Sequence, residues 1–179
     1  PRSQLILICA LVCAALLATV NKPIHIDDPM FLWAARQIQA HPLNFYGFNV
    51  NWDGVNHAMW QVMQNPPLVS YYEALVASIV GWGAVPLHLA FIPIALLAMI
   101  ATFMLARRLG AQQLIDCLIV LASPAFLVSA GTLMSDTMML MFWCGAVTVW
   151  VWAVQFDRPA WLIAAGVMIG LAALTKYPA

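Results

Sequence analysis

The stretch VPLHLAFIPIALLAMIATFMLARRLG (85–110) decides the fold. From Val85 to Ala106 it holds no Asp, Glu, Lys or Arg. At about 1.5 Å per helical residue, that run crosses the ~30 Å hydrocarbon core of a bilayer. Two arginines and a glycine then close it, which reads as the end of a helix at a membrane face.

The rest of the chain agrees. Of 179 residues, 64% are hydrophobic and 8% charged, where a soluble domain carries about 25% charge. Too little polar surface exists to cover a globule, so lipid must cover part of it. Formal net charge is zero, and no basic block offers a footprint for nucleic acid. Cys9, Cys13, Cys117 and Cys144 all lie in apolar runs, so they read as small core residues. No CxxC or paired-histidine spacing suggests zinc.

Hydropathy divides the chain into a first span (3–20), a long hydrophilic loop (21–67), a short or interfacial helix (68–82), and spans at 85–106, 112–130, 136–156 and 160–175. The expectation is an all-α polytopic membrane protein with about five transmembrane helices, plus interfacial helices in the first outer loop. Pro124 interrupts 112–130, and the small residues of AAGVMIGLAAL (164–174) suit close helix packing. With Arg2 at the cytoplasmic side and 68–82 lying at the interface, Arg107, Arg108 and FDRPA (156–160) fall inside. Asp27, Asp136 and Lys176 then share the outer face. The start on Pro1 and the stop after LTKYPA read as the cut ends of a longer protein.

Chemistry-bearing residues gather around that loop. In IDDPMFLWAARQIQ (26–39), Asp28 before Pro29 reads as the N-cap of a surface helix. Phe31, Ala34, Ala35 and Ile38 form its apolar face. One cap suffices, which leaves Asp27 without a structural task. A carboxylate held at a helix start stays ionised, and suits a general base for a hydroxyl or a metal ligand. The loop's aromatics, Trp52 among them, read either as an interfacial belt or as rings stacking on sugar faces, with His57 bonding hydroxyls. Gln64 and Asn65 precede the rigid Pro66–Pro67 elbow and either bind a ligand or cap the next helix. Asp136 reads as an N-cap or a second functional carboxylate. Lys176 reads as a snorkelling lysine or an anion-binding one. Glu73 sits at the interface if 68–82 is short.

The order of these pieces resembles a known family: first span, acidic pair, surface helix, PPL elbow, ARRLG, ASPAFLVSAGTLMSDTMMLMFW and GVMIGLAALTKY. It is similar to the membrane-embedded C-type glycosyltransferases that use lipid-phosphate-linked sugars, specifically bacterial relatives of the protein O-mannosyltransferases and the lipid A aminoarabinose transferase. The resemblance implies a catalytic carboxylate at Asp27, with Asp28 as its partner and Asp136 as a further acid. It implies donor-phosphate contacts at Gln64, Asn65 and Lys176, although Asn65 supplies hydrogen bonds and no charge. It implies a polyprenyl-phosphate-sugar donor, a lipid, glycan or protein acceptor, and a bacterial inner membrane with the site facing the periplasm. No cofactor is required. A divalent metal, if present, would draw on Asp27 and Asp136. The rival readings are a transporter or channel subunit, whose ionisable residues would lie nearer the midplane, and a non-catalytic scaffold.

Overall fold

A computed structural model describes residues 2–177. Among the described residues the regular structure is helical, apart from one small hairpin. In order come α1 (Arg2–Leu17), α2 (Asp28–Ala40), β1 (Asn49–Asn51), β2 (Asn56–Ala58), α3 (Met59–Val62), α4 (Leu68–Val80), α5 (Ala84–Arg108), α6 (Gln113–Ala122), α7 (Pro124–Ala130), α8 (Ser135–Gln155) and α9 (Ala160–Thr175).

Two helices, α5 and α8, are long and apolar enough to cross a membrane. The expected span 112–130, which Pro124 interrupts, is a bent pair, α6 and α7, meeting at 70°. The cause is local: Pro124 cannot donate into α6, and the Ser123 hydroxyl accepts from the Phe126 N–H to begin a new helix. The expected first and last spans are the shorter apolar helices α1 and α9, of 16 residues each, about 24 Å long. α4, with 13 residues, is shorter still.

Helix ends follow backbone chemistry. Gly110, at φ 73°, takes the left-handed position after α5, and the Ala111 N–H returns to the Ala106 carbonyl. That bond satisfies a carbonyl the helix end would orphan. Gly81, at φ 82°, ends α4 in the same region.

Among the described residues, the two larger apolar clusters hold the bundle. Ile8, Val12 and Leu16 of α1 pack with Ile92, Met99 and Phe103 of α5 and Phe126 of α7. Phe31 of α2 and Val69 of α4 pack with Leu87, Phe91, Leu133 and Met138. Burying a side chain such as Phe31 contributes about 2–3 kcal/mol. α5 keeps its course through Pro93, and the Tyr72 hydroxyl of α4 donates to the Ala90 carbonyl just before it, at 2.5 Å.

The contacts sort the chain into two ends. At one, the Arg108 guanidinium lies over Trp152 and Phe156, joining the ends of α5 and α8. At the other, a His88 ring N–H donates to the Val20 carbonyl at 3.1 Å, joining the exit of α1 to the start of α5. The starts of α2 and α8 and the exit of α9 lie at this second end as well. α4 enters and leaves there too, because its entry elbow packs beside Leu174 while its exit leads directly into α5.

Candidate functional site

Asp28 organises this end, though not as a cap. Asp27 occupies the N-cap position of α2 and makes no side-chain cap bond, while Asp28 is the first helical residue. The Asp28 carboxylate is fully buried. One oxygen accepts from the His25 N–H at 2.8 Å and the other from the Leu133 N–H at 3.1 Å. It therefore ties the start of α2 to the turn that leads into α8. Burial pushes its carboxyl above the ordinary range, while those two backbone donors, with His25 and His88 nearby, pull it down.

Asp27 is the accessible member of the pair, its side chain 39% exposed. Its Oδ2 lies 3.8 Å from His25 Nδ1, and its own N–H donates to that nitrogen at 3.3 Å. Accepting a proton there requires Nδ1 to be unprotonated, so His25 presents any N–H at Nε2. Among the described residues no backbone N–H donates to the Asp27 carboxylate, which faces an imidazole.

Asp136 and Lys176 are joined directly. Lys176 Nζ lies 2.6 Å from Asp136 Oδ1, with the two side chains 26% and 31% exposed. The cap of α8 falls at Met134 and uses no side chain, so neither Ser135 nor Asp136 is its cap. Asp136 also lines a cleft of about 260 Å³ against the break between α6 and α7.

Gln64 and Asn65 do not cap α4, whose N-cap position is Pro67. Both line a cleft of about 730 Å³ with Tyr46, Trp60, Leu174 and Tyr177, immediately beyond the end of α9. The Tyr46 hydroxyl donates to the Asn65 carbonyl at 2.5 Å and fixes the elbow. Trp52 and His57 belong elsewhere, on the β1–β2 hairpin. Trp52 packs edge-on against Trp33 of α2, with centroids 6.1 Å apart, and His57 Nε2 faces Asp53 Oδ1 at 3.4 Å.

So Asp27, Asp28, Asp136, Lys176, Gln64 and Asn65 share one end of the bundle, while Trp52 and His57 sit on an outlying hairpin. Sequence reasoning missed three participants. Lys22 places its Nζ against Gly131, 3.0 Å from where a methyl would sit, and has no ion-pair partner among the described residues. His25 and Tyr46 are the others. The signal for Lys22 and His25 was their place in NKPIHIDD (21–28), beside the acidic pair. Among the described residues no three His, Cys, Asp or Glu groups gather as a metal site. Asp136 is engaged by Lys176.

Glu73 lies beneath this end. It is fully buried in α4, and neither carboxylate oxygen has a partner within the described residues. Burial, and after it the charge of Asp28, raise its carboxyl well above the ordinary range. A buried carboxyl without a hydrogen-bond partner disfavours its charged form.

Residues 64–179 match the dolichyl-phosphate-mannose-protein mannosyltransferase family. No curated protein and no solved structure matches the chain. The matched region takes in Gln64, Asn65, Asp136 and Lys176, and Asp27, Asp28, Trp52 and His57 precede it. The family's chemistry is sugar transfer from a polyprenyl-phosphate donor, carried out by an integral membrane protein. With well over half its residues matched, from the Pro-Pro elbow to the last helix, the chain belongs to the dolichyl-phosphate-mannose-protein mannosyltransferase family of membrane glycosyltransferases.

Proposed function

We propose that this protein transfers a sugar from a polyprenyl-phosphate donor to an acceptor hydroxyl at the outer face of a bacterial inner membrane, with inversion, and that Asp27 is the base. The acceptor oxygen attacks the anomeric carbon while its proton passes to the Asp27 carboxylate. The bond from that carbon to the phosphate oxygen breaks, and polyprenyl phosphate leaves with the electron pair. Phosphate is a competent leaving group, so the protein's tasks are positioning and charge neutralisation.

The observation that carries this reading is the division of labour between the two adjacent acids. Asp28 spends both oxygens on backbone donors, so it positions. Asp27 stays accessible beside an imidazole, so it can take a proton. Lys176, held by Asp136, supplies charge for the departing phosphate, and Lys22 adds a second ammonium at the same end. Gln64 and Asn65 offer amide donors without charge. The outward placement is supported by Arg2, Arg107, Arg108 and Arg158, which belong to the opposite end of the helices.

The test is transfer from radiolabelled polyprenyl-phosphate sugars in membranes containing the protein, comparing wild type with Asp27→Asn. Loss of transfer with donor binding retained is the expected result. Equal transfer in both removes Asp27 from the chemistry.

A further inference from the structure

A second concavity lies outside the family-matched residues, between α2 and the β1–β2 hairpin. It is an open groove of about 470 Å³ lined by Trp33, Arg36, Gln37, Phe48, Asn49 and Asn51. That volume falls in the range of small-molecule sites, about 300–1,000 Å³. Trp33, Arg36 and Gln37 stand at i, i+3 and i+4, so they present one face of α2. Across from them, β1 buries Val50 and turns Asn49 and Asn51 outward, about 7 Å apart along the strand.

The polar groups here have capacity to spare. Gln37 Nε2 donates to the Asn44 carbonyl, which leaves Oε1 to accept. Asn51 Oδ1 accepts from the Gly54 N–H, which leaves its Nδ2 to donate. Arg36 rests over the Trp82 ring, 4.8 Å from its centroid, with no carboxylate in ion-pair range among the described residues. Trp33 is braced edge-on by Trp52. An aromatic wall, carboxamides that both donate and accept, and one unneutralised cation match a saccharide bearing an anionic group. Hydroxyls need donors and acceptors together, whereas a lipid phosphate needs donors only.

We propose that this groove binds an anionic saccharide, at a site apart from the Asp27 cluster. Binding is measured without donor, so this site and the transfer reading above fail separately. The probe is trigalacturonate, with neutral galactotriose as its control, titrated by calorimetry against the protein in nanodiscs of zwitterionic lipid. Saturable binding of trigalacturonate is expected, at least tenfold tighter than galactotriose and weakened by salt. Trp33→Ala should abolish it, and Arg36→Gln should erase the preference for the acid.

Trp33→Ala also removes the brace on Trp52, so Asn49→Asp provides a variant at an exposed position. It should weaken trigalacturonate at least tenfold while thermal unfolding stays unchanged. Absence of saturable binding, or binding indifferent to Asn49→Asp, overturns the proposal. So does displacement of trigalacturonate by nanodiscs of anionic lipid, which would make the groove a lipid-headgroup site. If trigalacturonate binds while no donor sugar is ever transferred, the groove stands and the transfer reading falls.

Discussion

Lys176 Nζ and Asp136 Oδ1 meet at 2.6 Å across the exit of α9 and the start of α8. A pair this accessible contributes about 1 kcal/mol or less to stability. On the proposed reading its value is positional: it holds an ammonium at this end of the bundle, ready for the departing phosphate.

Replacing Lys176 by Met should therefore change the melting temperature little and cut sugar transfer by about two orders of magnitude, as expected when a charge-stabilising group is lost. Lys176→Arg should recover part of that activity. Transfer rates and unfolding measured on the same membrane preparation separate the two effects. Full transfer by Lys176→Met would move the charge role to Lys22.

Asp27→Asn should lower transfer by about 10²–10⁴-fold, the range for removing a general base. Asp28→Ala should act differently. It strands the buried Leu133 N–H and frees the start of α2, at a cost of about 3 kcal/mol. Unfolding in detergent should register Asp28→Ala strongly and Asp27→Asn barely at all.

Stability should fall as pH rises. The Asp28 and Glu73 carboxyls both titrate above their ordinary range, chiefly through burial. The folded state thus binds protons that the unfolded state has already released, and stability declines from the ordinary carboxylate range up through the raised values. Melting temperatures across that interval should slope downward. Glu73→Gln should remove most of the slope, and an unchanged slope would mean that Glu73 is ionised when folded.

Gly145 of α8 faces α9 so closely that an added Cβ would lie 2.3 Å from Met168 Cε. Gly145→Ala should be tolerated once Met168 swings away. Gly145→Leu should pry α8 from α9, costing about 1–3 kcal/mol through overpacking. Because those helices carry Asp136 and Lys176, transfer should drop along with stability.

Much of this was readable from residue patterns. The apolar face of α2 at Phe31, Ala34, Ala35 and Ile38 is buried as its periodicity requires. Local signals put two helix starts within a residue of where they fall: Asp28, read as a cap, is the first residue of α2, and the span read from 136 begins at Ser135. They failed on what the side chains there do. A cap is a bond within one turn, whereas Asp28 and Asp136 each also reach a partner far along the chain, the Leu133 N–H and Lys176. The 70° break at Ser123–Pro124 was signalled by the proline, but its size depends on how α7 packs. The hairpin that removes Trp52 and His57 from the cluster lies in a stretch of Asn, Gly and aromatics with no strong period.

The Asp28 carboxylate accepts from an N–H that lies 105 residues further along the chain. The segment that bears the acidic pair is therefore seated against a part of the chain made much later, just before α8. Closing so long a loop is a non-local step with an entropic cost. One buried carboxylate thereby ties the seating of the proposed base to the placement of the turn before α8.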